Sequence, residues 1–166
     1  MPAMDYERVA RFYDSYVQTD MDVPFFLREA KRAAGAVLEL TAGTGRVSIP
    51  LLLAGTDLTC VDSSPAMLDV LRDKLRTEGL SAEVIQADMC ELSLDWKFDL
   101  IFIPFHSFAE ITEAARQRQA LSRIHDHLSD EGRFICTLHN PPVRLKSVAG
   151  WRRELGNFPL PDGNML

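Results

Sequence analysis

From position 36 onward, short aliphatic runs alternate with longer stretches whose apolar residues recur at helical spacing. The short runs, Ala36–Leu40, Leu58–Asp62, Glu83–Gln86, Phe98–Ile103 and Arg133–Leu138, are bounded by turn-forming or polar residues and predict five strands. Strands alternating with amphipathic stretches predict an α/β fold built on a doubly wound, mainly parallel sheet. After the second strand, Ser64 suits an N-cap, Pro65 the first helical position and Gly79 the stop, while Met67, Leu68, Leu71 and Leu75 line one face. A further helix is predicted over Glu113–Leu128, with Leu121, Ile124 and Leu128 toward the sheet, His125 and His127 complementing its C-terminal end, and Gly132 closing it. Two helices precede the first strand: Tyr6–Val17, with Val9, Phe12, Tyr13 and Tyr16 at helical spacing, and Pro24–Ala33, opened by Asp22.

Past Leu138 the pattern dissolves into Pro141, Pro142, Pro159, Pro161 and Gly163, with no clear strand-and-helix unit. The expected organisation is therefore a helical cap over 1–35, an α/β core over 36–140 and a C-terminal extension over 141–166 that reads as truncated. Composition fits one ordinary folded domain, with 46% hydrophobic and 25% charged residues in 166. Cys60, Cys90 and Cys136 are odd in number and scattered, which argues against a disulfide framework or a zinc site, so no metal is expected. No leader pattern and no apolar run near about 18 residues is seen, which makes a cytoplasmic protein without a membrane partner the expectation. A net charge of −6 disfavours nucleic acid and favours a small-molecule partner.

The most informative segment is Val37-Leu38-Glu39-Leu40-Thr41-Ala42-Gly43-Thr44-Gly45-Arg46, a strand ending in an acid and a glycine turn that opens a helix. Glycines there allow close backbone approach to a ligand, beside the exposed N–H groups of a helix start. Alone, such a turn serves equally well as a plain strand-to-helix connection. Asp62 closes the second strand, where an acid can bind ribose hydroxyls in doubly wound sheets, and Ala87-Asp88-Met89 closes the third. Three successive strand ends thus converge on one crevice.

With these motifs the chain resembles the class I S-adenosylmethionine-dependent methyltransferases that modify small molecules, from the Tyr13 region to about Asn140. The resemblance implies a Rossmann-like sheet, S-adenosyl-L-methionine as cofactor and methyl transfer to a small-molecule acceptor by in-line displacement. It implies that Glu39, Thr41, Ala42, Gly43 and Gly45 surround the methionine part, and that Asp62 with Ser63 holds the ribose. Asp88 would read the adenine amino group, Met89 would lend a backbone N–H, and Met67 would pack on the ring. Tyr13 resembles a lid residue, with core packing beside Val9 and Phe12 as its other reading, and the passage Phe98–Phe108, containing Pro104, resembles the fourth-strand motif. Thr41 departs from the glycine common in the family, its hydroxyl either meeting the cofactor or satisfying the turn. The antiparallel strands that usually finish the sheet are not visible after Leu138.

The sulfonium of such a cofactor is its own leaving group, so the protein mainly aligns the acceptor and excludes water. His106 is the candidate general base, set against a plain packing role. Cys90 reads as a small buried residue, and Glu113–Arg118 as a solvated face. Two other readings stay open: a non-catalytic cofactor-binding module working through a partner, and a nicotinamide-dependent oxidoreductase. The second lacks a dinucleotide fingerprint glycine at Ser48 and gives Asp88 no role. An unpaired final strand would need cover, from an extension bearing Trp151, Leu155, Phe158 and Leu160 or from a homodimer across the open edge.

Overall fold

The computed structural model describes residues 5–140 and 142. The expected extension, with Trp151, Leu155, Phe158 and Leu160, lies outside the described residues. Five parallel strands, β1 (Val37–Leu40), β2 (Leu58–Asp62), β3 (Glu83–Gln86), β4 (Phe98–Ile103) and β5 (Leu128–Cys136), pair in the order β3-β2-β1-β4-β5. The Rossmann-like expectation holds, with β1 in the centre. Central strands of a parallel sheet are covered on both faces, which is why β1 and β4 are nearly continuous apolar runs.

Alternate residues feed two cores. On one face Val37, Cys60, Leu100 and Phe102 pack with Phe26 of α3 (Val23–Arg32), Leu51 of α4 (Ser48–Leu53) and Leu68, Leu71 and Leu75 of α5 (Pro65–Glu78). On the other, Leu38, Leu40, Val61, Ile101 and Ile103 pack with Ile124 of α6 (Ala114–His127). In α5 the predicted signals operate: the Ser64 hydroxyl accepts from Met67 N at 3.3 Å, Pro65 opens the helix and Gly79 ends it at φ +66°. Such a cap contributes about 1 kcal/mol.

Several expectations need correction. The chain passes from His127 straight into β5, so α6 stops one residue short of Leu128, and Gly132 sits inside the strand instead of closing the helix. Between Phe98↔Leu128 and Leu100↔Arg133 the ladder shifts register, and β5 bulges. A Cβ on Gly132 would lie 2.8 Å from the Phe98 carbonyl oxygen and 2.9 Å from Ser129 backbone atoms, so close backbone approach requires this glycine. The bulge is tied by Ser129 Oγ donating to Asp99 at 2.6 Å and by Arg133 pairing with buried Glu29 at 2.7 Å. The strand ends at Cys136, and Leu138 is exposed.

The buried face of α6 is Ala120, Ile124 and His127, while Leu121 is exposed. His127 is no helix-end ornament: its Nε2 accepts from Leu94 N at 2.8 Å and its Nδ1 lies 2.6 Å from the Arg123 carbonyl, so both ring nitrogens are satisfied in the interior. The expected Tyr6–Val17 helix is instead three short turns: α1 (Tyr6–Val9), a 3₁₀ turn (Ala10–Phe12) and α2 (Tyr13–Tyr16), of which only Ala10 is buried. Asp22 precedes α3 without capping it, because its carboxylate is held by Arg46. Among the described residues, no helix is long and apolar enough to cross a membrane and no group of three His, Cys, Asp or Glu side chains could hold a metal.

Candidate functional site

The C-terminal ends of β1, β2 and β3 open on a cavity of about 310 Å³, at the point where the chain runs from β1 to β2 on one side while β4 lies on the other. Crevices of this kind are the ligand sites of doubly wound sheets. Its wall contains Tyr13, Thr41, Gly43, Asp62, Ser63, Met67, Asp88 and Met89, all expected from sequence. A smaller recess of about 30 Å³ adjoins it through Tyr13, Thr41 and Gly43 and contains Glu39, Ala42 and Pro104.

Asp62 is fixed by backbone: Gly43 N donates to Oδ2 at 2.8 Å and Ser64 N to Oδ1 at 2.9 Å. Each oxygen keeps a lone pair for a ligand. Burial raises its pKa, and the N–H donors of Ser64, Gly43 and Ser63 work against that rise. Gly43 adopts φ +57°, placing its N–H over the carboxylate. Gly45 is needed for another reason, because at φ +87° it faces α5, where a Cβ would stand 2.5 Å from Leu71 Cδ1. It lines neither cavity, and the close approach that requires a glycine is to a helix. Thr41 sits at φ +60°, a strained region for a branched residue, and its hydroxyl donates to the Leu40 carbonyl at 2.6 Å, which satisfies the turn.

Glu39 is buried and accepts from Ser48 Oγ at 2.6 Å. Burial pushes its pKa up to about 8, against the opposing pull of the Ser48 hydroxyl and Arg46. Ser48, which in the sequence stands out only as a missing glycine, is thus the hydrogen-bond partner of the buried acid. Arg46 is held by Asp22 and by the Thr19 carbonyl at 3.1 Å, and lies 4.8 Å over the Phe105 ring.

At the far wall Asp88 accepts from Cys90 N at 2.8 Å and from Arg116 Nη2. Burial opposes ionisation there, but the Cys90 donors and Arg116 outweigh it and hold the pKa below the usual carboxylate range. Cys90 is buried as expected. Arg116 lines the cavity, so the segment Glu113–Arg118 is not simply a solvated face. Tyr6, Glu110, Ile111 and Thr112 are further wall residues that sequence reasoning misses. Tyr6 Oη donates to Glu110 Oε1 at 2.5 Å, closing one side of the mouth. The pattern offers a signal only for Arg116, a cation in the first turn of a helix, where the macrodipole disfavours it.

His106 lies beside the site and lines neither cavity. Both it (φ 69°) and Phe105 (φ 56°) follow β4 with positive φ, its ring stacks on His139 with centroids 3.5 Å apart, and its Nδ1 is buried with no hydrogen-bond partner among the described residues.

A parallel sheet with an acid at three adjacent strand ends and a glycine turn against the second acid defines a nucleotide-binding type of α/β domain. Residues 37–132 match the methyltransferase domain family, and the chain belongs to it. It is 30% identical over 131 residues to a glycine/sarcosine N-methyltransferase of Halorhodospira halochloris, covering 77% of this chain and 48% of that protein. Among solved structures, the CcbJ methyltransferase of Streptomyces caelestis superposes with a TM-score of 0.75 at 27% identity, covering 90% of this chain and 60% of the other. The glycopeptide N-methyltransferase MtfA in complex with S-adenosyl-L-methionine gives a TM-score of 0.61 at 25% identity over 69% of this chain and 52% of that one. The chain spans about half the length of the curated relatives it matches.

Proposed function

We propose that this chain forms the cofactor-binding part of an S-adenosyl-L-methionine-dependent methyltransferase acting on an amine of a small molecule or peptide. The observation that carries the reading is the Asp62 carboxylate, clamped by Gly43 and Ser64 N–H groups at the wall of the cavity that also contains Asp88, Met67 and Met89. Those residues fit the cofactor: Asp62 has acceptor capacity for two ribose hydroxyls, Asp88 for an exocyclic amino group, and the two methionines supply apolar, adaptable surface for a purine. Glu39, buried beside Thr41 and Gly43, suits the amino end, because a ligand ammonium would stabilise the ionised form that burial disfavours. When bound, the sulfonium supplies an activated methyl group.

The chain's own part is to orient and to exclude water. Asp62 and Asp88 fix the nucleoside from two sides, and the N-terminal turns, through Tyr6 and Tyr13, cover the cavity. An amine acceptor must lose a proton to attack or after it has done so. His106 is the residue we assign to take that proton, on the ground of its place beside the recess and an Nδ1 that has no hydrogen-bond partner among the described residues. The preference for an amine follows the relatives that carry N-methyltransferase in their names.

Calorimetry tests the core of the reading. Asp62→Ala should weaken S-adenosyl-L-homocysteine binding at least about tenfold, since charge-assisted bonds contribute roughly 1.5–3 kcal/mol each. Unchanged affinity would remove the ribose assignment.

A further inference from the structure

Arg116 occupies a position the helix itself does not favour. It stands in the first turn of α6, which carries no acidic residue there and whose Glu113 N-cap makes no side-chain cap bond. A cation at this end opposes the macrodipole. Two contacts hold it in place regardless. The Cys90 thiol donates to the Arg116 carbonyl at 3.5 Å, and the guanidinium donates to Asp88 Oδ2. Cys90 N in turn holds Asp88 Oδ1 at 2.8 Å. The first turn of α6 is thereby joined to the turn after β3 at both backbone and side chain, on the cavity wall. With the guanidinium and the carboxylate each about two-fifths exposed, the pair contributes little to folding, so stability does not account for it.

We infer that Arg116 is the residue that makes this cavity selective for a 6-amino purine, by holding the Asp88 carboxylate in one orientation on the cavity wall. This rests on the proposed cofactor reading. An ionised carboxylate can only accept, so it welcomes an exocyclic amino group and repels a 6-oxo group. A protonated carboxyl can donate, and would accommodate the 6-oxo form. Arg116 fixes how the carboxylate is presented: its guanidinium, always charged, occupies one lone pair of Oδ2 and leaves acceptor capacity for a ligand in the cavity both residues line. The lowered pKa of Asp88 and the raised pKa of Arg116 agree with that arrangement. Arg116 acts through Asp88 and is therefore a positioning residue.

The test is competitive calorimetry with S-adenosyl-L-homocysteine and its deaminated 6-oxo analogue at pH 5 and pH 8, on the unmodified chain, R116A and R116K. The unmodified chain should prefer the amino form by about tenfold or more at both pH values, the difference between a made and an unmade hydrogen bond. In R116A the preference should shrink to about threefold or less at both pH values, because the carboxylate, no longer held, does not present a fixed acceptor to the amino group. R116K, which keeps the charge without the planar fork, should restore part of the preference. Identical discrimination in all three proteins at both pH values would overturn the inference and leave the cofactor reading standing. Failure of the unmodified chain to bind either analogue would remove both.

Discussion

The two walls of the cavity are held by different forces. The sheet wall rests on Leu38, Leu40, Ile101, Phe102 and Ile103, which are wholly buried, and its acids are aligned by strand ends and backbone donors. The N-terminal wall, residues 5–22, has a single buried residue, Ala10. It is fastened by polar contacts: Tyr6 to Glu110, Glu7 to Ser64, Asp14 to Thr44 and Lys74, and Asp22 to Arg46. Fully burying a large apolar side chain contributes about 1.5–3 kcal/mol, whereas an exposed ion pair contributes roughly 0–1 kcal/mol. The floor of the site therefore comes apart only with the fold, while the roof can detach locally at small cost. A site that must exchange a ligand needs both properties.

The largest effect is expected in the floor. Phe102 stacks on Phe26 at a centroid distance of 4.6 Å and is inaccessible to solvent, so Phe102→Ala should lower unfolding free energy by about 3–5 kcal/mol in denaturant titration. A loss below about 1 kcal/mol would show that the apolar wall is not what holds the strand ends.

Next in size is the buried acid between the walls. Glu39 has a folded-state pKa of about 8 against an ordinary 4.5. Its unfolded form releases the proton first, so the stability associated with the neutral carboxyl is complete below about pH 4.5 and is lost as pH rises toward 8. Glu39→Gln should leave stability unchanged at pH 4 and raise it by roughly 2–4 kcal/mol at pH 9 in the ligand-free protein. A gain of equal size at both pH values would mean that packing, not ionisation, sets the difference.

This contrast also explains what can be read from sequence. The floor obeys local rules: aliphatic runs at β1, β2 and β4, the Ser64-Pro65 start of α5, and acids at successive strand ends, so Asp62 and Asp88 fall where expected. Gly45 and Gly132 are legible as glycines but not as to purpose, because what each avoids, Leu71 and the Phe98 carbonyl, is distant in the chain. The roof reads falsely as one amphipathic helix, since its spacing of Val9, Phe12, Tyr13 and Tyr16 imitates an apolar stripe, while its attachments join residues 24 to 104 positions apart. Periodicity carries no trace of such polar pairings. Arg116 leaves one indirect signal, a cation in the first turn of a helix, but its partner, 28 positions away, is not legible from it.

The smallest effect is expected at the roof, and it separates stability from exchange. Burial, reinforced by the neighbouring Glu110, raises the Tyr6 pKa, so the phenol remains a donor throughout the working range. Tyr6→Phe removes that one bond and leaves Glu110, which is exposed, solvated in its place. The cost to unfolding free energy should stay within about 0.5–1 kcal/mol. Ligand release should nevertheless quicken by about two- to fivefold, because the same fraction of a kilocalorie is a large part of what keeps a locally fastened segment closed. Asp14→Ala, which removes the contacts to the Thr44 hydroxyl and to Lys74 while Lys74 keeps its bond to the Thr44 carbonyl, should quicken release further at a similarly small stability cost. Stopped-flow release of S-adenosyl-L-homocysteine, set beside denaturant titration of the same two proteins, checks the pairing. Release rates equal to those of the unmodified chain in both variants would show that the N-terminal turns do not gate the cavity. A stability loss comparable to that of Phe102→Ala would show that the roof is part of the folding core after all.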